Sequence, residues 1–257
     1  MGDSKVFDRD QAEVERSAEE ARNTVLKDAD RTQIDRYLSP RSDTVYSLEY
    51  AFYLLGDVRG KTVLDLGCGT GENIIPLLER GARVTGIDIS PDLIALAEQR
   101  LRKARKEATV RTGSAYDTGM KTGSVDIVFC MSLVHHLDVE RVRDEMLRIL
   151  ATGGVVILKE PIRFSKAYAF LRGLLPARGN ISEFEHPLTR EELATMTEHF
   201  EVQGTRYFRL PSLPLIVGIL PSLSSAVWKA DGWVLRHCPP MRRYATVAAM
   251  RLVKTAS

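Results

Sequence analysis

Short apolar runs alternate with amphipathic segments through the middle of the chain. The run KTVLDLG, ending at Gly67, is dense in β-branched and leucine residues, the pattern of a parallel strand covered on both faces. Similar runs follow at RVTGIDIS, TVRTGSAY, VDIVFCM and VVILKEP. Between them apolar positions take helical spacing: Leu93, Ile94, Leu96, Ala97 and Leu101 form one stripe behind Pro91, a residue suited to a first helical turn. The segment VERVRDEMLRIL predicts another helix, leading to a turn at Gly153 and Gly154. Further on, Thr189 is placed to cap a helix that runs to Phe200, and EVQGTRYFRL and YATVAAMRLVK read as two last strands. Strands and helices in alternation make an α/β fold.

Both flanks of this series depart from it. Residues 9–35 are rich in Glu, Asp, Arg and Ala with few apolar positions, which predicts one or two charged surface helices or a mobile arm. From Ile34 onward aromatics gather, namely Tyr37, Tyr46, Tyr50, Phe52 and Tyr53, with Ser42 or Asp43 as the cap of a helix closed by Gly56. Two stretches exceed what the alternating fold needs. Residues 162–179 mix aromatic and leucine positions with Arg163, Lys166 and Arg172, an amphipathic basic pattern. Residues 210–243 are notably apolar, and Pro211, Pro214 and Pro221 break them into short pieces. A cap over a substrate pocket, plain core packing, a membrane-surface contact and a dimer interface all fit this composition. The organisation expected is a helical arm and lid over residues 1–57, then a core over 58–257 carrying the two insertions.

The candidate chemistry centres on VLDLGCGTGENIIPL. Gly67, Gly69 and Gly71 stand at alternate positions between a strand and a helix, where glycine permits a sharp turn and close approach of a ligand. A helix N-terminus beyond such a turn favours an anion. The dinucleotide loop G-x-G-x-x-G has a different spacing, and here an acid, Asp65, precedes the first glycine by two residues. Asp88 ends the next strand, where a carboxylate can hold ribose hydroxyls. With this D-L-G-C-G-T-G signature, residues 61–161 resemble the class I S-adenosylmethionine-dependent methyltransferases, in their small-molecule branch.

That resemblance implies a Rossmann-like, doubly wound sheet of seven strands with the last strand antiparallel, and helical lid or cap insertions. It implies S-adenosylmethionine as cofactor, held by Asp65, Gly67, Cys68, Gly69, Gly71, Asp88, Ile89, Ser114, Ala115 and Met131. The position of Ser114 is usually acidic in the family, so this chain departs from the pattern there. Tyr37 and Tyr46 are the aromatics of the N-terminal segment expected over the cofactor, where a ring beside a sulfonium attracts it.

His135 and His136 follow the fourth strand at the ligand edge, and Glu160 ends the fifth. The histidines read as a general base with its neighbour or as structural groups; metal ligation is disfavoured, since no cluster of Cys, His and Asp surrounds them. Glu160 reads equally as a group for a substrate hydroxyl and as the partner of an arginine such as Arg163. The expected reaction is methyl transfer to a small, hydrophobic acceptor, oxygen first, with carbon and nitrogen open.

Composition narrows the partners. With 36 Lys+Arg against 34 Asp+Glu, the net charge of +2 asks for no nucleic acid, and the (N/D)PP(Y/F) motif of base-amine methylating enzymes is missing after the fourth strand. Three cysteines without metal-ligand spacing fit a reducing cytoplasm, and the charged start of the chain does not read as a signal peptide. No apolar run reaches the ~18 residues of a spanning helix, which leaves peripheral contact as the one membrane reading.

Overall fold

The computed structural model describes residues 2–26, 30–165, 186–211 and 224–255. Seven strands form one sheet: β1 (Thr62–Leu66), β2 (Arg83–Asp88), β3 (Thr109–Thr112), β4 (Val125–Met131), β5 (Leu150–Pro161), β6 (Phe200–Phe208) and β7 (Val247–Lys254). Their spatial order is β3-β2-β1-β4-β5-β7-β6, and β7 runs antiparallel to both its neighbours. This is the Rossmann-like arrangement that the sequence implies. Strand order reverses between β1 and β4, and at such a point the carboxyl ends of adjacent strands open a crevice.

Alternation along the strands sorts the core into two layers. Leu64, Leu66, Val128, Cys130, Val156 and Leu158 face α6 (Val139–Ile149) and α7 (Arg190–Thr197). Val63, Ile127, Phe129, Val155 and Ile157 face the other way, toward α3 (Ser47–Leu55), α4 (Ile74–Glu79) and α5 (Pro91–Ala104). Three helices carry the local chemistry that starts them. The Ser90 hydroxyl accepts from Leu93 N–H ahead of Pro91, Asp138 caps α6, and Thr189 with Glu192 forms a reciprocal capping box on α7.

Two local expectations are corrected. The aromatic helix begins at Ser47, with Tyr46 at its cap position, rather than at Ser42 or Asp43; Glu49 draws in the Thr44 hydroxyl and Arg41 N–H just ahead of it. The Gly153–Gly154 turn is absorbed into a continuous β5, where Gly153 takes φ +70° and the register with β4 slips between Val125 and Ile127.

The N-terminal segment divides by role. Its third helix is built into the sheet layer: Phe52 is fully enclosed and its ring lies 5.1 Å from that of Phe129. The first helix, α1 (Gly2–Asn23), instead packs along α5 beside the crevice, and α2 (Arg31–Leu38) connects the two. Of the two insertions, 166–185 and 212–223 lie outside the described residues. The remainder includes α8 (Ser224–His237) and a 3-10 turn (Pro239–Tyr244). Phe208 pairs with Val247, which in turn pairs with Pro161, so this connection leaves and rejoins the sheet at the edge that carries Glu160. No helix among the described residues is long and apolar enough to cross a membrane.

Candidate active site

The crevice at the switch point encloses about 870 Å³, part of it open to solvent. The glycine loop forms its floor, and each glycine is required for a different reason. All three have left-handed backbones, with φ of +72°, +51° and +77° at Gly67, Gly69 and Gly71. A Cβ on Gly67 would lie 2.9 Å from the Leu133 side chain, and one on Gly71 would meet the Cβ of Ala97 at 3.1 Å. A Cβ on Gly69 would meet nothing within 4 Å, so Gly69 faces the open crevice. From α5, Arg100 ties the loop down by donating Nε–H to Thr70 O at 2.8 Å.

Asp88 closes the loop against β2. Its two oxygens accept from Gly69 N–H at 2.9 Å and Ser90 N–H at 3.0 Å, and burial pushes its pKa up despite these bonds. Asp65 lies deeper. It is fully enclosed, neither carboxylate oxygen finds a hydrogen-bond partner, and burial, helped by nearby Asp88, pushes its pKa up to about 8. Asp65 is thus a neutral, orphaned carboxyl beneath the loop, and Asp88 is the acid that reaches the crevice.

The cavity wall includes Gly67, Gly69, Asp88, Ile89, Ser114 and Ala115 from the sequence-predicted set. Ser114 turns its hydroxyl to the Tyr116 N–H at 3.2 Å, which fixes the turn that brings Ala115 to the wall. Asp65, Cys68, Gly71 and Met131 stand behind the surface. The Cys68 thiol packs against Gly86, and burial raises its pKa; Met131 packs into the α3 layer. These residues shape the loop from beneath it.

Tyr37 and Tyr46 stand elsewhere than expected. Tyr37 stacks on Phe52 with ring centroids 4.5 Å apart, and its hydroxyl accepts from Gln33 Nε2–H at 2.8 Å. Tyr46 is exposed, with the Arg36 guanidinium 4.8 Å from its ring centroid. Neither lines the cavity. The residues that do come from the N-terminal segment are Glu13, Arg16 and Ser17 of α1. Glu13 pairs with Arg16 and lies 3.4 Å from His136 Nδ1, while Ser17 is buried. The signal for them in the sequence is slight: a small residue and a charged pair on one face of an otherwise polar helix.

The two histidines and Glu160 come together behind Ser132 and Leu133. Glu160 is wholly buried; Oε1 accepts from Leu133 N–H at 2.8 Å and Val134 N–H at 2.9 Å, and Oε2 lies 2.8 Å from His135 Nδ1. The His135 and His136 rings are 3.9 Å apart. Of the three, only His136 reaches the cavity wall. Glu160 thus holds the turn that carries the histidines, and Arg163 is not its partner. Ser132, at φ +59°, is a wall residue the sequence did not mark.

With this geometry in hand, residues 64–158 match the family described as a methyltransferase domain. That stretch, from β1 to β5, is thus similar to a methyltransferase domain. Curated relatives agree over the same region. A ubiquinone biosynthesis O-methyltransferase of Psychrobacter cryohalolentis is 33% identical over 115 residues, covering 43% of this chain and 45% of the relative. A magnesium-protoporphyrin O-methyltransferase of Rhodobacter capsulatus is 33% identical over 141 residues, covering 53% and 62%. Each match thus spans less than two thirds of the relative's length. Among solved structures, a geranyl diphosphate C-methyltransferase of Streptomyces coelicolor superposes over 96% of this chain and 98% of its own, with a TM-score of 0.62 at 18% identity. That likeness is one of fold.

Proposed function

We propose that the chain transfers a methyl group from S-adenosylmethionine to an oxygen of a small, hydrophobic acceptor. The observation that carries this reading is the open space above Gly69, floored by left-handed glycines and flanked by Asp88 at the switch point of a methyltransferase domain. The residues suit the cofactor. Asp88 offers a carboxylate to ribose hydroxyls, and Ser114 and Ala115 offer a wall to the base. When bound, S-adenosylmethionine supplies an electrophilic methyl group.

The protein's part is placement and protection. Holding acceptor and donor in line supplies up to ~7–11 kcal/mol of the barrier. His136 stands at the cavity wall as the group for the acceptor hydroxyl proton, with His135 and Glu160 fixing the turn behind it. Helix α1 covers the cavity from the solvent side with Glu13, Arg16 and Ser17. Two named relatives act as O-methyltransferases, which supports oxygen as the acceptor atom. The free thiols of Cys68, Cys130 and Cys238 suit a reducing compartment, the cytoplasm.

Calorimetric titration tests the assignment. S-adenosylmethionine and S-adenosylhomocysteine are expected to bind in the micromolar range and NAD not at all. Binding of NAD with no binding of either sulfur ligand overturns it.

A further inference from the structure

Lys159 lies one residue before Glu160 but faces the opposite side of the sheet. Its neighbour Ile157 belongs to the α3 layer, and across β7 it is paired with Ala249. The side chain reaches back to the neighbouring strand end and donates Nζ–H to the Ser132 hydroxyl at 2.6 Å, while Ser132 N–H donates to Lys159 O at 2.7 Å. Ser132 is part of the cavity wall, so the ammonium sits one hydrogen bond behind the donor cavity, on the side of β4 and β5. Burial pulls its pKa down; the Glu160 carboxylate opposes this, and the nearby Arg209 guanidinium adds to it.

Arg209 ends β6 at the same sheet edge, in a left-handed conformation with φ +61°. The Asp231 carboxylate accepts from Arg209 N–H at 3.2 Å and Leu210 N–H at 2.9 Å, which fixes this corner and leaves the guanidinium over the Trp228 ring. Among the described residues no carboxylate forms an ion pair with Lys159 or Arg209, while most arginines around the core have one or bond to carbonyls. Glu160 and Asp231 offset these charges through space without forming an ion pair, and a half-buried cation beside a second one still favours a further anion.

We propose that Lys159, with Arg209 beside it, is the subsite for an anionic oxygen group of the acceptor, a carboxylate or a phosphate. The acceptor is then an amphiphile, with a hydrophobic body and one charged head held at the ends of β5 and β6. The head group is read by charge and fixes how far the reacting oxygen enters the donor cavity. This inference rests on the methyltransferase reading of the crevice beside it.

The test is calorimetric titration of the full chain, saturated with S-adenosylhomocysteine, using octanoate, octyl phosphate and octanol. At least one anionic probe is expected to bind about tenfold or more tightly than octanol, and the preferred one tells carboxylate from phosphate. Lys159→Met is expected to erase that preference, Lys159→Arg to keep it, and Arg209→Gln to reduce it. Affinity for S-adenosylhomocysteine itself should stay within about twofold in Arg209→Gln, which touches no residue of the cavity wall. Equal binding of octanol and the anions, no binding of either anion at millimolar concentration, or an unchanged preference in Lys159→Met overturns the proposal. Failure of the parent protein to bind S-adenosylhomocysteine overturns the methyltransferase reading instead, so the two failures are distinct.

Discussion

Glu160 Oε2 and His135 Nδ1 lie 2.8 Å apart, with the carboxylate wholly enclosed. The other oxygen takes the N–H groups of Leu133 and Val134, so one side chain sets the path of the chain as it leaves β4. Removing it strands buried donors, each at a cost of about 1–3 kcal/mol. Glu160→Ala is therefore expected to lower unfolding free energy by roughly 2–4 kcal/mol in urea titrations. Glu160→Gln keeps an acceptor oxygen for the two N–H groups and should lose clearly less. An unchanged midpoint in the alanine variant would show that the turn holds without its buttress.

The glycine loop separates binding from folding. Gly69→Ala puts its Cβ into open crevice, so the cost to stability is the ~1–2 kcal/mol of a left-handed alanine while cofactor affinity collapses. Gly71→Ala is expected to behave in the opposite sense, because its Cβ presses on Ala97 rather than on the ligand. Thermal melts and S-adenosylhomocysteine titrations on both variants decide the matter. Equal losses of affinity in the two would remove Gly69 from the binding surface.

Asp65 predicts an unusual pH dependence. Its carboxyl in the folded chain has a pKa raised to about 8, well above the ordinary value near 3.8 that it regains on unfolding. Between those values the folded state holds one more proton than the unfolded state, so stability contributed by this group falls as pH rises through that window. Asp65→Asn removes the titration and is expected to flatten the profile, gaining most over the parent near pH 8. Denaturant titrations at about pH 5 and about pH 8 measure it. A parent protein whose Asp65-dependent stability climbs with pH would contradict the orphaned, neutral carboxyl.

The roof of the cavity offers a test apart from the sheet. Ser17 is buried on α1 and lines the crevice. Ser17→Trp would fill ligand space from above without altering any strand, so affinity for S-adenosylhomocysteine should drop by about tenfold or more while the melting temperature changes little. Retained affinity would place the bound cofactor away from α1.

How legible the molecule is depends on which force acts at each place. The central strands announce themselves because they are buried on both faces, and the loop because left-handed turns leave glycine little competition. Thr189 with Glu192 and Ser90 with Pro91 are readable for the same reason, being local chemistry acting over three residues. Tyr37 misleads because a ring suits a core stack on Phe52 as well as a cofactor. The roof hides because Glu13 meets His136, and Arg16 and Ser17 reach the same cavity, through tertiary packing about 120 residues along the chain, where no local pattern extends.

The β6–β7 connection has a further consequence. Phe208 and Val247 are paired to each other, and Val247 to Pro161, so the chain between them starts and ends on fixed points of one rigid edge. Each doubling of a loop's length adds only about 0.6 kcal/mol of closure entropy. Added length in that span therefore costs the sheet beneath it little, provided Asp231 and Leu235 keep their places. The strands beneath keep their register whatever length of chain joins those two points.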